Sequence, residues 1–125
     1  MHAGDVGELW VLDRLSAIAP VVAVHGNDEK PDEEQALTNS QVVTVDGERI
    51  LIWHSHNPDW QAEMASRKGD DLLAKLARRV ERAKQSDESI VVFGLWHIPL
   101  VYERDGVCVI NPGALASGNE ISHQL

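Results

Sequence analysis

The chain has 125 residues, enough for one domain with a real core. Its net charge of −9, from 11 basic and 20 acidic residues, sets the surface against polyanions. Duplex nucleic acid is therefore not an expected partner, except at a site where bound dications reverse the local sign. Hydrophobic residues make up 43%, yet no apolar run approaches the roughly 18 residues of a membrane span. The opening Met1-His2-Ala3-Gly4-Asp5 has neither the basic region nor the apolar stretch of a signal peptide. A lone cysteine, Cys108, leaves no internal disulfide and fits a reducing compartment. The expectation is a cytoplasmic protein without membrane contact.

In chain order, Asp5 to Ala19 places Leu9, Leu12, Leu15 and Ile18 on neighbouring helical positions beside Trp10. This predicts an amphipathic helix facing the core and stopped by Pro20. Pro20 to Val24 is a short β-branched run closed by Gly26, as in a strand buried on both faces. Residues 28–34 carry five acids around Pro31 and read as an exposed loop. Gln41–Val45, Asp46-Gly47 and Ile50–Trp53 predict a hairpin that runs into His54-Ser55-His56. Residues 57–68 fit a loop with a helical turn. Asp70 or Asp71 caps a helix whose stripe is Leu72, Leu76, Val80 and Ala83. Seven of the basic residues lie between Arg67 and Lys84, and are expected on the solvated side of that helix. Ile90–Phe93 is a strand ending in Gly94. Asp105-Gly106 tips a second hairpin, which leads to Asn111-Pro112-Gly113. The order of helices and strands describes an α/β chain with helices packed on sheets.

Four predicted strand ends stop on metal-ligand residue types: Asp5, Asn27, His54 and His97. Ligands in open α/β sheets sit beyond the carboxyl ends of strands. A carboxylate there can bridge two dications, while an amide oxygen and imidazole nitrogens complete a set suited to borderline ions. Paired dications activate water and stabilise in-line displacement at phosphorus. Each signal alone is weak, since Gly-Asp and Gly-Asn are common turn dipeptides and a lone histidine is more often structural. Their joint placement is the informative part.

Taken in order, HAGD at 2–5, VHGND at 24–28, WHSH at 53–56, GLWH at 94–97 and INPG at 110–113 resemble the calcineurin-like metallophosphoesterases. The likeness is to the small prokaryotic phosphodiesterase branch and its eukaryotic relative in the retromer complex. The resemblance implies a sandwich of β-sheets flanked by helices, as one domain over 1–125. It implies Asp5 as the bridging carboxylate, Asn27 and His54 as ligands of the second metal, and His97 as the closing ligand of the first. Asp5, His54 and His97 are then the catalytic set. The implied cofactor is one or two divalent ions, Mn²⁺ first, with Fe²⁺, Ni²⁺ or Zn²⁺ as alternatives.

Three departures accompany the resemblance. The family's opening Asp-x-His strand and its helix are not in the chain. The family's Gly-His-x-His is Gly94-Leu95-Trp96-His97 here, with Leu95 at a ligand position. The family's closing strands beyond Asn111-Pro112-Gly113 are missing as well.

Among the remaining residues, His56 and Asn111, with Asn27, are the candidates for contact with a phosphate-ester substrate. His25 reads as structural, Cys108 as core packing and His123 as an exposed bystander. The expected function is hydrolysis of phosphodiesters or phosphomonoesters by a metal-activated hydroxide. The alternative is a catalytically weakened phosphoesterase-fold scaffold that binds a protein partner, and a third possibility is a piece of a longer enzyme. Incomplete sheets leave open edges, so a homo-oligomer is expected to cover them.

Overall fold

The computed structural model describes residues 1–26, 37–54, 60–69 and 71–114. Its elements in order are β1 (His2–Ala3), α1 (Leu9–Ser16), β2 (Ala23–Val24), β3 (Ser40–Val45), β4 (Glu48–Trp53), α2 (Trp60–Gly69), α3 (Leu72–Ser86), β5 (Ile90–Phe93), β6 (Pro99–Arg104) and β7 (Val107–Pro112). β1 and β2 form a small parallel pair, and the other strands form a five-stranded sheet in the order β3-β4-β5-β7-β6. β4, β5 and β7 run parallel at its centre, with β3 and β6 antiparallel on the edges.

Both hairpins follow from their tips. Val45 pairs with Glu48 and Arg104 with Val107, leaving two-residue loops. Asp46 and Gly47 have φ of 50° and 83°, and Asp105 and Gly106 have 53° and 79°. Two left-handed residues in succession give the turn whose twist matches the flanking strands, and Asp-Gly tolerates it best.

Alternation along the strands sorts the core into two layers. Leu51, Trp53, Val91, Phe93, Val107 and Val109 lie on the face covered by α3, against Leu76, Val80 and Ala83. Ile50 and Ile52 lie on the opposite face with Val24 of β2, flanked by Val22, Val43, Ile90 and Val92. The two sheets thus face one another, and α3 packs on the outside of the larger one. Asp71 caps α3 by accepting a hydrogen bond from the Ala74 amide at 2.8 Å. Leu72, expected in the apolar stripe, is 42% exposed in the first turn.

Two expectations are corrected here. α1 spans only Leu9–Ser16 and has no buried residue. Trp10 and the following Ile18 are 62% and 84% exposed. Its apolar periodicity identifies residues that share a side, and that side is only partly covered: Leu9 and Leu12 are half-buried, while Leu15 is 39% exposed. Second, the basic residues of α3 are not all solvated: Lys75 and Arg79 are buried. Arg79 donates from Nη1 to the Lys75 carbonyl at 2.9 Å. Its guanidinium carbon lies 3.9 Å from the Phe93 ring centre and 4.4 Å from that of Trp96. A planar cation can stack on aromatic faces where an ammonium would demand water. Cys108, read as core packing, is half-buried on β7, and burial together with the Glu103 carboxylate raises its thiol pKa.

Candidate functional site

Asp5 follows the last residue of β1 by two positions, and both linking residues turn left: Gly4 has φ 91° and Asp5 itself has φ 56°. Asp is among the few side chains that accept this conformation readily. The turn brings Asp5 against the backbone of Gly26 beyond β2, where a Cβ on Gly26 would collide with the Asp5 carboxyl carbon at 2.8 Å. Only glycine fits there.

His54 extends β4 by one residue and is buried. Its Nδ1 lies 2.7 Å from the Ala3 carbonyl oxygen. A carbonyl can only accept, so Nδ1 carries the hydrogen and Nε2 is turned the other way. Nε2 stands 3.3 Å from Asp5 Oδ2. Gly94 permits this approach, because a Cβ there would meet His54 Nδ1 at 2.6 Å and the Ala3 carbonyl still closer.

His97 arrives on the loop after β5. Leu95 and His97 have φ of 68° and 59°, two non-glycine residues in a sparsely populated region and thus a strained turn. Gly94 donates its amide to the carbonyls of Trp53 and His54 at 3.2 and 3.1 Å, and the Trp96 amide reaches back to the Gly94 carbonyl at 2.8 Å. His97 Nε2 comes to 3.7 Å from Asp5 Oδ2. Its Nδ1 is enclosed and has no hydrogen-bond partner among the described residues.

Asn111 closes the arrangement from β7. It is buried, donates from Nδ2 to the Gly94 carbonyl at 2.9 Å, and accepts from the Gly113 amide at 2.9 Å. These bonds tie the loop carrying His97 to the end of β7.

Asp5, His54 and His97 therefore meet, although they come from separate strands. Asn27 and His56 lie outside the described residues, as do Asp28 and His123. Leu95, at the position where the resembling family has a ligand, is 9% exposed and belongs to the apolar cluster with Trp96. His2 is half-buried on β1, in register with Ala23. His25 is also half-buried, with Nδ1 at 2.9 Å from the Gly26 carbonyl.

The donor chemistry fits a divalent ion. With Nδ1–H committed to Ala3, a neutral His54 aims its Nε2 lone pair at a carboxylate oxygen. Two acceptors at that separation repel unless a proton or a cation lies between them. Nitrogen and oxygen donors of this type suit Mn²⁺, Fe²⁺, Ni²⁺ or Zn²⁺. Among the described residues, no group of three His, Cys, Asp or Glu side chains is gathered closely enough to hold an ion alone.

The residues that sequence reading did not single out lie behind the site. Arg79 and the two tryptophans preceding His54 and His97 line its support. The repeated Trp-His pair at 53–54 and 96–97 was the available signal.

Comparison with known proteins agrees with this architecture. The model for the calcineurin-like phosphoesterase superfamily domain matches residues 1–124. A probable metallophosphoesterase of Methanocaldococcus jannaschii is 25% identical over 114 residues, covering 91% of this chain and 51% of that protein. The chain thus spans about half the length of this curated relative. Vps29 from Entamoeba histolytica has a similar fold. A single-substitution variant gives a TM-score of 0.71 at 22% identity, over 94% of this chain and 58% of that one. Wild-type Vps29 complexed with zinc gives 0.67 at 23% identity, over 90% and 54%. A structure described as a novel archaeal phosphodiesterase gives 0.60 at 21% identity, over 90% and 64%. The shared α/β fold has mixed sheets flanked by helices.

Proposed function

The chain belongs to the calcineurin-like phosphoesterase superfamily, and from that premise we propose that it is a metal-dependent phosphoesterase acting on phosphodiesters or phosphomonoesters. The observation that carries the reading is the position of Asp5 Oδ2, 3.3 Å from His54 Nε2 and 3.7 Å from His97 Nε2. Asp5, His54 and His97 would hold the ion, with Asn27 as a further ligand. A bound dication supplies acidification of water and neutralisation of charge on the phosphoryl oxygens.

The residues of the chain do the rest. Ala3 fixes the His54 tautomer through its carbonyl. Asn111 holds the loop that presents His97. The glycine at 26 lets the carboxylate sit against the β2 turn. His56 and Asn111 are the remaining candidates for substrate contact. Mn²⁺ is the first candidate ion, with Fe²⁺, Ni²⁺ and Zn²⁺ after it, at one or two per site. A cytoplasmic location is expected, since a single cysteine fits a reducing compartment. It is expected to self-associate through the exposed edges of β3 and β6, which size measurement in solution checks.

The test is hydrolysis of a generic aryl phosphodiester with added Mn²⁺, alongside metal analysis. Asp5→Asn and His97→Ala are expected to lower turnover at least a hundredfold and to weaken Mn²⁺ retention. Metal-free protein without turnover would instead support the second reading, a phosphoesterase-fold scaffold for a protein partner. That reading is favoured by one observation: Leu95 is buried among apolar residues where the resembling family has a ligand.

A further inference from the structure

Each histidine of the site is preceded in sequence by a tryptophan, Trp53 before His54 and Trp96 before His97. Both tryptophans are buried on the side of the sheet that α3 covers. Two arginines of α3, three positions apart and so on neighbouring faces of the helix, reach them. Arg79 lies 4.4 Å from the Trp96 ring centre, and Arg82 lies 5.9 Å from that of Trp53. Arg79 also covers Phe93 at 3.9 Å, and Phe93 meets Trp96 edge-to-face at 4.9 Å between ring centres.

We infer that Arg79, and more weakly Arg82, are positioning residues that hold the two imidazole-bearing strand ends at the site. The inference rests on the proposed role of His54 and His97. It adds the outer helix α3, which reaches the site through the aromatic rings of Phe93, Trp96 and Trp53.

The physical case is strongest for Arg79. It is fully buried, so its contact with the rings is desolvated, where cation–aromatic attraction is strongest. Its planar group spans Phe93, the last residue of β5, and Trp96, one residue short of His97. Those two rings bracket the strained turn at Leu95. A turn that costs backbone energy persists only when its surroundings hold both ends. Arg79 and the two rings hold it from the helix side, and Asn111 holds the Gly94 carbonyl from β7. Arg82 is solvent-exposed and sits near the limit of such a contact, so its share is smaller.

The experiment compares wild type with Arg79→Lys, Arg79→Met, Arg82→Lys and Trp96→Phe. Two quantities are read: the ring-nitrogen NMR signals of His54 and His97, and the dissociation constant for Mn²⁺ alone. Arg79→Lys keeps the charge and Arg79→Met keeps the bulk, but neither keeps a planar stacking cation. Both are expected to move the His97 signals and to weaken Mn²⁺ binding about tenfold, the lower end for residues that orient a ligand. Arg82→Lys is expected to move only the His54 signals, with binding changed by less than about threefold. Folded Arg79 variants with unmoved His97 signals would overturn the inference. So would Arg79→Met behaving like wild type, since bulk alone would then suffice. Should the Arg79 variants fail to fold, Trp96→Phe decides: moved His97 signals support the inference, and unmoved ones sink it. If wild type binds no Mn²⁺, the phosphoesterase reading fails while the NMR comparison still judges the positioning role.

Discussion

The half of the molecule built on the five-stranded sheet buries both faces of its central strands, whereas α1 in the other half buries no residue at all. Both halves contribute to the site. β4 and the loop after β5 supply His54 and His97, and the turn after β1 supplies Asp5. The imidazoles are therefore mounted on the packed sheet, and the carboxylate on the turn between β1 and the lightly covered α1. Stability is not uniform in a fold, and the segments with fewest buried apolar contacts open first. The carboxylate side is the side expected to give.

Substitutions that load the two halves unequally sharpen this contrast. Phe93→Ala removes a fully buried ring from beneath Arg79 and is expected to cost about 3–5 kcal/mol in urea unfolding. A loss below about 1 kcal/mol there would mean that the larger sheet is not the stable half. Asn111→Ala strips the Gly94 carbonyl and the Gly113 amide of a buried partner, and should cost about 2 kcal/mol. The same variant should speed amide hydrogen exchange in the loop at 94–97. Ile18→Ser lies at the other extreme. At 84% exposure its loss should alter stability by less than about 0.5 kcal/mol. A destabilisation comparable to Phe93→Ala would show that α1 is covered in solution, and the contrast would collapse.

What could be read from the sequence was what local chemistry decides. The Asp-Gly tips at 46–47 and 105–106 predict the observed hairpins because that dipeptide accepts two successive left-handed residues. The stripe Leu72, Leu76, Val80 and Ala83 predicts the buried side of α3, all but its first-turn Leu72, because a helix repeats every 3.6 residues. Gly4, Gly26 and Gly94 could be seen as turn residues. Their closeness to Asp5 and His54 could not, since it joins segments many residues apart. The same limit hid Arg79. Charge alone placed it in solvent, and only the meeting of Phe93 and Trp96 beneath the helix makes a buried place for a guanidinium. The pattern of Leu9, Leu12, Leu15 and Ile18 said which residues group together on α1. It could not say whether anything lies against them.

The Nδ1–H of His54 donates to a backbone oxygen of the smaller sheet, while the ring itself hangs from the larger one. One imidazole consequently registers how the two sheets sit on each other. A slip of β1 by one residue would take the Ala3 carbonyl away and let the ring switch tautomer. Alignment of two layers of backbone is thereby converted into which nitrogen of a single side chain is basic.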